Sequence, residues 1–207
     1  MEIPGRVETL DQLTSLFRAP GGRAVDKELD HITDGMAAFI DRAPFLVLAT
    51  SDGQGSVDAS PRGGPPGFVR RLDARHVAIP DLNGNNRLDS YRNLIAHPYA
   101  GVLMIVPGQE ETLRINGPAV ITTDPDLLAG FTQELRTPKL AVVIETAEVF
   151  GHCAKAFRRG RMWQPDRWGE LADAPDLAAI YACQWDLEED TIRSALAGSY
   201  DDDLSRD

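Results

Sequence analysis

The sequence predicts a mainly β, α+β domain built as an antiparallel barrel or sandwich. Three observations predict it. Seven or so short apolar or alternating segments follow one another between Phe45 and Gly151. Most are joined by turn residues, whereas a doubly wound parallel sheet would alternate strand and helix throughout. The helical patterns gather at the two ends of the chain, with two more set between strands.

The elements follow in order. Leu10, Leu13, Leu16 and Phe17 recur at three-to-four spacing and predict a helix over 11–17. A second amphipathic helix is expected from about Asp26, with Leu29, Ile32, Met36, Phe39 and Ile40 on one face. It stops at Ala43, because Pro44 disfavours α geometry in the residue before it. Phe45–Thr50 reads as a compact apolar strand, Ser51–Gly55 as a hairpin turn and Ser56–Ser60 as the returning strand. Two short strands, 68–72 and 76–80, flank a turn at Asp73. A polar loop, Asp81–Arg87, precedes a helix from Asp89 to His97 that ends at Pro98.

Gly101–Val106 is an apolar strand, and Thr112–Thr122 alternates around a Gly117-Pro118 that signals a bulge or bend. Asp124 followed by Pro125 is a helix cap with proline in the first turn. Lys139–Gly151 is rich in β-branched residues and reads as one strand. Helices are expected over 154–162 and 176–183, then a short one over 191–196 with a frayed acidic end. These patterns divide the chain into N-terminal helices packed on the barrel (1–43), a barrel domain (44–170) and a C-terminal helix with an acidic tail (171–207).

Composition narrows the function. The 207 residues carry a formal net charge of −11, which argues against a general nucleic-acid partner, since such binding rests on Lys and Arg neutralising phosphates. No apolar run approaches the ~20 residues that cross a bilayer, and the first residues lack a signal-peptide pattern, so a cytoplasmic protein without a membrane partner is expected. The segment Asp186–Asp207 holds eight acidic and two basic residues, leaving a mildly acidic remainder. Two cysteines, Cys153 and Cys183, lack zinc-type spacing, and no metal site is expected.

Three constellations can carry chemistry. In Ser60-Pro61-Arg62-Gly63, proline and glycine commit the backbone to an unusual path beside an arginine that offers a planar fork of donors. The run Asn83–Asn93 joins a strand to a helix whose first N–H groups suit an anion, with Asn85, Asn86, Arg87 and Ser90 as added donors. The third, His152–Trp163, collects Lys155, Arg158, Arg159 and Arg161 with an aromatic, Trp163, able to stack on a planar ring; Trp168 lies just beyond. For His152-Cys153 the expectation is a strand-end pair with a buried, inert thiol, because adjacent strand residues face opposite sides. His31 and His97 read as surface helix residues. No catalytic residue is identified.

These motifs are carried in order by Phe45–Gly53, Ser60–Gly63, Pro65–Val69, Ile79–Asp81, Gly84–Asn93, Glu111–Gly117, His152–Ala156 and Met162-Trp163. Together they resemble the pyridoxamine 5′-phosphate oxidase-like, FMN-binding split-barrel family. The resemblance implies a six-stranded antiparallel split β-barrel with peripheral helices, forming a homodimer with FMN in a cleft between subunits. By position it implies cofactor contacts from Ser60, Arg62 and Gly63 along the flavin, and from Ile79 and Pro80 facing its ring. It also implies contacts from Asn85, Asn86, Arg87 and Ser90 at the phosphate, and from Lys155 and Trp163 completing the site. The pyridoxal-phosphate-binding Arg and His of the true oxidase, and its Arg-Leu-x-Pro ending, are not found. The expected function is an FMN-dependent oxidoreductase acting on a small-molecule substrate. Alternatives are a non-catalytic flavin- or haem-type binding protein, or a split-barrel reductase using a deazaflavin.

Overall fold

In the computed structural model, residues 3–131, 135–169 and 174–207 are described, with the side chains of residues 23 and 24 excepted. The boundary expected at 170–171 lies outside the described residues. The strands are β1 (Phe45–Ser51), β2 (Val57–Gly63), β3 (Arg70–Arg71), β4 (His76–Pro80), β5 (Tyr99–Ile105), β6 (Thr112–Thr122), β7 (Ala141–Glu145) and β8 (Glu148–His152). All pair antiparallel, in the order β2-β1-β5-β6-β7-β4-β3, with β8 also on β6.

The architecture is the expected mainly β split barrel. β7 and β8 are one strand interrupted at Thr146-Ala147, so with the two-residue β3 set aside the described residues form six long strands. β6 belongs to both halves of the barrel. Its first half lies between β5 and β8, and its second half pairs with β7. The switch falls at Gly117, where a Cβ would come within 1.8 Å of the Glu145 carbonyl oxygen. Only glycine lets the two backbones pass at this distance.

Alternation places the core. Leu46, Leu48, Val102, Met104, Leu113, Ile115 and Val149 meet Val77, Ile79, Val142 and Ile144 from the other half, all at most 4% exposed. Helices α3 (Asp34–Ile40) and α4 (Asp89–Ala96) add Ala37, Ile40 and Leu94. At the β1–β2 hairpin, Asp52 accepts from the N–H groups of Gln54 (2.8 Å) and Ser56 (2.9 Å), and Gly53 and Gly55 take the positive φ values.

Several expectations are corrected. No helix starts near Asp26, where the chain instead forms a short turn, α2 (Gly22–Val25), and then an extended stretch. Leu29 exchanges both backbone hydrogen bonds with Val149, and the Ile32 N–H goes to the Ala74 carbonyl. A helix over this stretch would need those donors for its own turns. Helix α1 (Leu10–Ser15) forms with a Thr9–Gln12 capping box, yet its apolar face, Leu10, Leu13, Leu16 and Phe17, stays exposed. At the other end, the short helix with a frayed end is replaced by a 16-residue helix running to Leu204. His31 lies outside any helix, and Cys153 is exposed, not buried.

The remaining helices are α5 (Pro125–Ala129), α6 (Lys155–Gly160), α7 (Pro165–Trp168), α8 (Leu177–Trp185) and α9 (Glu189–Leu204). Asp124 caps α5 through the Leu127 N–H at 2.8 Å, as its sequence predicts. No helix among the described residues is long and apolar enough to cross a membrane.

Candidate cofactor cleft

A cleft of about 530 Å³ opens where the end of β2, the end of β4 and the 81–91 segment converge. That volume lies within the usual range for small-molecule sites. Strand β2 is an edge strand whose exposed residues alternate with half-buried Asp58, Ser60 and Arg62, which therefore share one face. Pro80 ends β4 at the cleft, and Ile79 before it is 2% exposed in the core.

The 81–88 loop turns through two left-handed residues, Asn86 (φ 55°) and Leu88 (φ 62°). Leu88 occupies the cap position of α4, and no side chain caps the helix there. The first residues of α4, Asp89, Ser90 and Tyr91, line the cleft, and the first turn has no side-chain cap. Asn85 Oδ1 accepts from the Arg87 N–H (3.1 Å), which shapes the loop. The Arg87 guanidinium donates to Asp89 at 2.8 Å, and this contact holds it above its ordinary pKa.

A second set of contacts fixes the β2 wall. Asp58 accepts from Ser60 Oγ at 2.9 Å to each oxygen and from Ser90 Oγ at 2.6 Å. Ser90, 2% exposed, accepts in turn from Arg62 Nη2 at 3.0 Å. Arg62 Nη1 also donates to the Pro61 carbonyl (2.9 Å), and the guanidinium lies 6.0 Å from the Tyr91 ring centroid. Tyr91 donates to Asp81 Oδ1 at 3.0 Å. Burial, and secondarily the Asp81 charge, push the Tyr91 hydroxyl up to about 12.

The far wall comes from the end of the chain. Asp207 Oδ1 accepts from the Asn83 N–H at 2.8 Å, and the Asp203 carbonyl accepts from Asn83 Nδ2 at 3.2 Å. Arg136 bridges Asp81 (3.7 Å) and Asp207 (3.5 Å), and Leu204 and Asp207 line the cleft. The acidic end expected to be frayed thus reaches the site.

Of the residues singled out in the sequence, Ser60, Arg62, Gly63, Pro80, Asn85, Asn86, Arg87 and Ser90 line this one cleft. Ile79 sits directly behind it. Lys155 and Trp163 are not brought there: Lys155 is exposed at the start of α6, and Trp163 stacks on Phe157 and donates to the Gln109 carbonyl at 2.6 Å. Sequence reasoning missed Asp58, Tyr91 and Asp207. Asp58 was within reach, since it stands two and four residues before Ser60 and Arg62 on one strand face. Asp207 had no local signal. Among the described residues, no group of three or more His, Cys, Asp or Glu is placed to hold a metal ion.

The family model described as pyridoxamine 5′-phosphate oxidase matches residues 32–153, more than half of the chain. No curated protein sequence matches the chain. Among solved structures, HupZ from Group A Streptococcus shares 18% identity over 58% of this chain and 93% of its own, with a TM-score of 0.47. An FMN-binding protein from Syntrophomonas wolfei shares 10% over 56% and 88%, with a TM-score of 0.42. A pyridoxamine 5′-phosphate oxidase-related, FMN-binding protein from Nostoc punctiforme shares 14% over 56% and 80%, with a TM-score of 0.40. The family match runs from just before α3 to just past β8 and takes in every strand and both principal walls of the cleft; the chain belongs to the pyridoxamine 5′-phosphate oxidase family.

Proposed function

We propose that the cleft binds FMN and that the protein is an FMN-dependent oxidoreductase acting on a small-molecule substrate. The observation that carries this reading is the convergence of Arg87, Asn85, Asn86 and the uncapped start of α4 at one end of a cleft walled by Arg62, in a member of this family. In an acidic chain, that donor set suits one phosphate. A nucleic-acid backbone would need a broad basic surface instead.

FMN, when bound, supplies the electron transfer, and the protein supplies binding and orientation. Arg87 and the 85–86 loop hold the phosphate. Arg62, fixed through Ser90, places a positive charge along the flavin, and Pro80 packs against it. Tyr91 donates to Asp81 and keeps its own proton at neutral pH, so it stands at the cleft as a neutral phenol.

Lys155 and Trp163 reach a cofactor only across a homodimer, which we include in the proposal. Val57 on β2 (75% exposed) and Ile95 on α4 (80% exposed) are large apolar side chains open to such a contact. Light scattering at micromolar concentration is expected to give a dimer mass, and a monomer mass refutes that part. The cofactor itself is tested by mass spectrometry of the ligand released on denaturing the purified protein. FMN is expected, whereas haem or a deazaflavin overturns the assignment. Oxidoreductase activity requires that bound FMN be bleached by NADH or NADPH and reoxidised by an acceptor. FMN left oxidised across a panel of donors and acceptors makes the protein a non-catalytic flavin binder.

A further inference from the structure

We propose that Asp58, at the base of the β2 wall, sets the hydrogen-bonding polarity of the cleft and selects a ligand that presents O–H or N–H donors to Ser60. The inference rests on the flavin reading and names which part of the ligand this wall serves.

Each serine hydroxyl has one proton to give, and a carboxylate only accepts. Ser60 spends its proton on Asp58, and Ser90 spends its own on the same carboxylate at 2.6 Å. Both oxygens are therefore left with lone pairs. Ser90 offers them to Arg62 Nη2. Ser60, which lines the cleft, offers them to the ligand.

A phosphate has acceptor oxygens and cannot satisfy Ser60. The ribityl hydroxyls and the ring N–H of a flavin can. The cleft is thus divided. The Arg87 end donates to an anion, and Ser60 on the β2 wall accepts from the uncharged body of the same molecule. This departs from the sequence expectation for Ser90, whose hydroxyl is spent inside the protein and is not a phosphate donor. Asp58 also lines a second, separate hollow of about 360 Å³ with Arg87, Asp89, Arg92 and Asn93.

The experiment measures dissociation constants of FMN and riboflavin, by flavin fluorescence, for the full-length protein and for Asp58→Asn, Ser60→Ala and Arg87→Ala. Riboflavin carries the donor groups without the phosphate. Asp58→Asn and Ser60→Ala are expected to weaken both flavins about three- to tenfold, the scale of one lost hydrogen bond between neutral groups, leaving their affinity ratio unchanged. Arg87→Ala is expected to weaken FMN and leave riboflavin nearly as it was. If Asp58→Asn shifts the ratio severalfold, the freed serine proton serves the phosphate and the proposal is overturned. Unchanged affinity for both flavins in Ser60→Ala overturns it as well, and that variant keeps the test open should Asp58→Asn fail to fold. Uptake of neither flavin by the unmodified protein overturns the flavin reading itself, a distinct result.

Discussion

Gly117→Ala tests the crossing that makes the barrel a split one. The added Cβ would sit 1.8 Å from the Glu145 carbonyl oxygen and 2.9 Å from the Ala147 nitrogen. Real Cβ atoms essentially never approach such atoms within 3.0 Å, so β6 and the β7–β8 junction must part by more than 1 Å. Neither side can give cheaply, because both obstacles are backbone. Ala147 N–H donates to the Asn116 carbonyl at 2.9 Å and Thr146 N–H to the Arg75 carbonyl at 2.7 Å. Overpacking of this kind costs about 1–3 kcal/mol, and two strained backbone hydrogen bonds add about 1 kcal/mol each. A loss of about 4 kcal/mol is therefore expected, a large part of a typical domain stability.

With a urea slope of about 2 kcal/mol/M, the unfolding midpoint falls by about 2 M. Gly151→Ala on β8 is the control, since nothing lies within 4 Å of its added Cβ; its midpoint is expected to stay within a few tenths molar or rise slightly. β7 also carries β4, through Ile79↔Val142 and Pro80↔Ala141, so the displacement reaches the cleft wall and weakens ligand uptake with it. A Gly117→Ala midpoint equal to that of Gly151→Ala refutes the account of the crossing.

Three further outcomes are expected. The Tyr91 hydroxyl is raised from its ordinary 10.0 to about 12, so the folded state prefers its protonated form; that stability is present below pH 10 and is lost as pH rises through 12, and Tyr91→Phe flattens this alkaline limb in urea titrations. Asp52 is held below its ordinary 3.8 by the Gln54 and Ser56 N–H groups, so its contribution is present above 3.8 and lost as pH falls through the lowered value; Asp52→Asn reduces the acid-side loss. Arg136→Ala leaves Asp81 and Asp207 facing each other without the guanidinium between them, with a destabilisation of about 1–3 kcal/mol by urea unfolding and a loosened α9 end, read as faster proteolysis after residue 188.

Much of the barrel is legible in the sequence for a physical reason. β1, β4, β5 and β6 are dense in apolar or β-branched residues and are bounded by turn chemistry, so local pattern and tertiary role agree. The segment around Leu29 misleads because its helical periodicity loses to a non-local partner: Val149 takes both of its backbone hydrogen bonds. Residues 189–204 mislead in the opposite sense. Their sequence reads as a short helix over 191–196 and then a frayed acidic end, but the Asp203 carbonyl and the Asp207 side chain dock on Asn83, 120 and 124 residues away in sequence. In the site, proline, glycine and asparagine runs around arginines brought out Arg62, Asn85–Arg87 and Ser90, and the family resemblance added Ser60. Asp81 and Tyr91 become a pair only when β4 and α4 meet at the cleft, which no local spacing encodes.

The central claim is that this cleft takes FMN by its phosphate at Arg87. Titrating FMN with the purified full-length protein, and with Arg87→Ala beside it, tests that claim most directly. The account predicts flavin fluorescence that changes saturably at one FMN per chain, with affinity at least tenfold weaker in Arg87→Ala, the scale of a lost charge-assisted phosphate contact. Flavin fluorescence that stays unchanged with a stoichiometric excess of the unmodified protein, or an affinity that Arg87→Ala leaves intact, contradicts it.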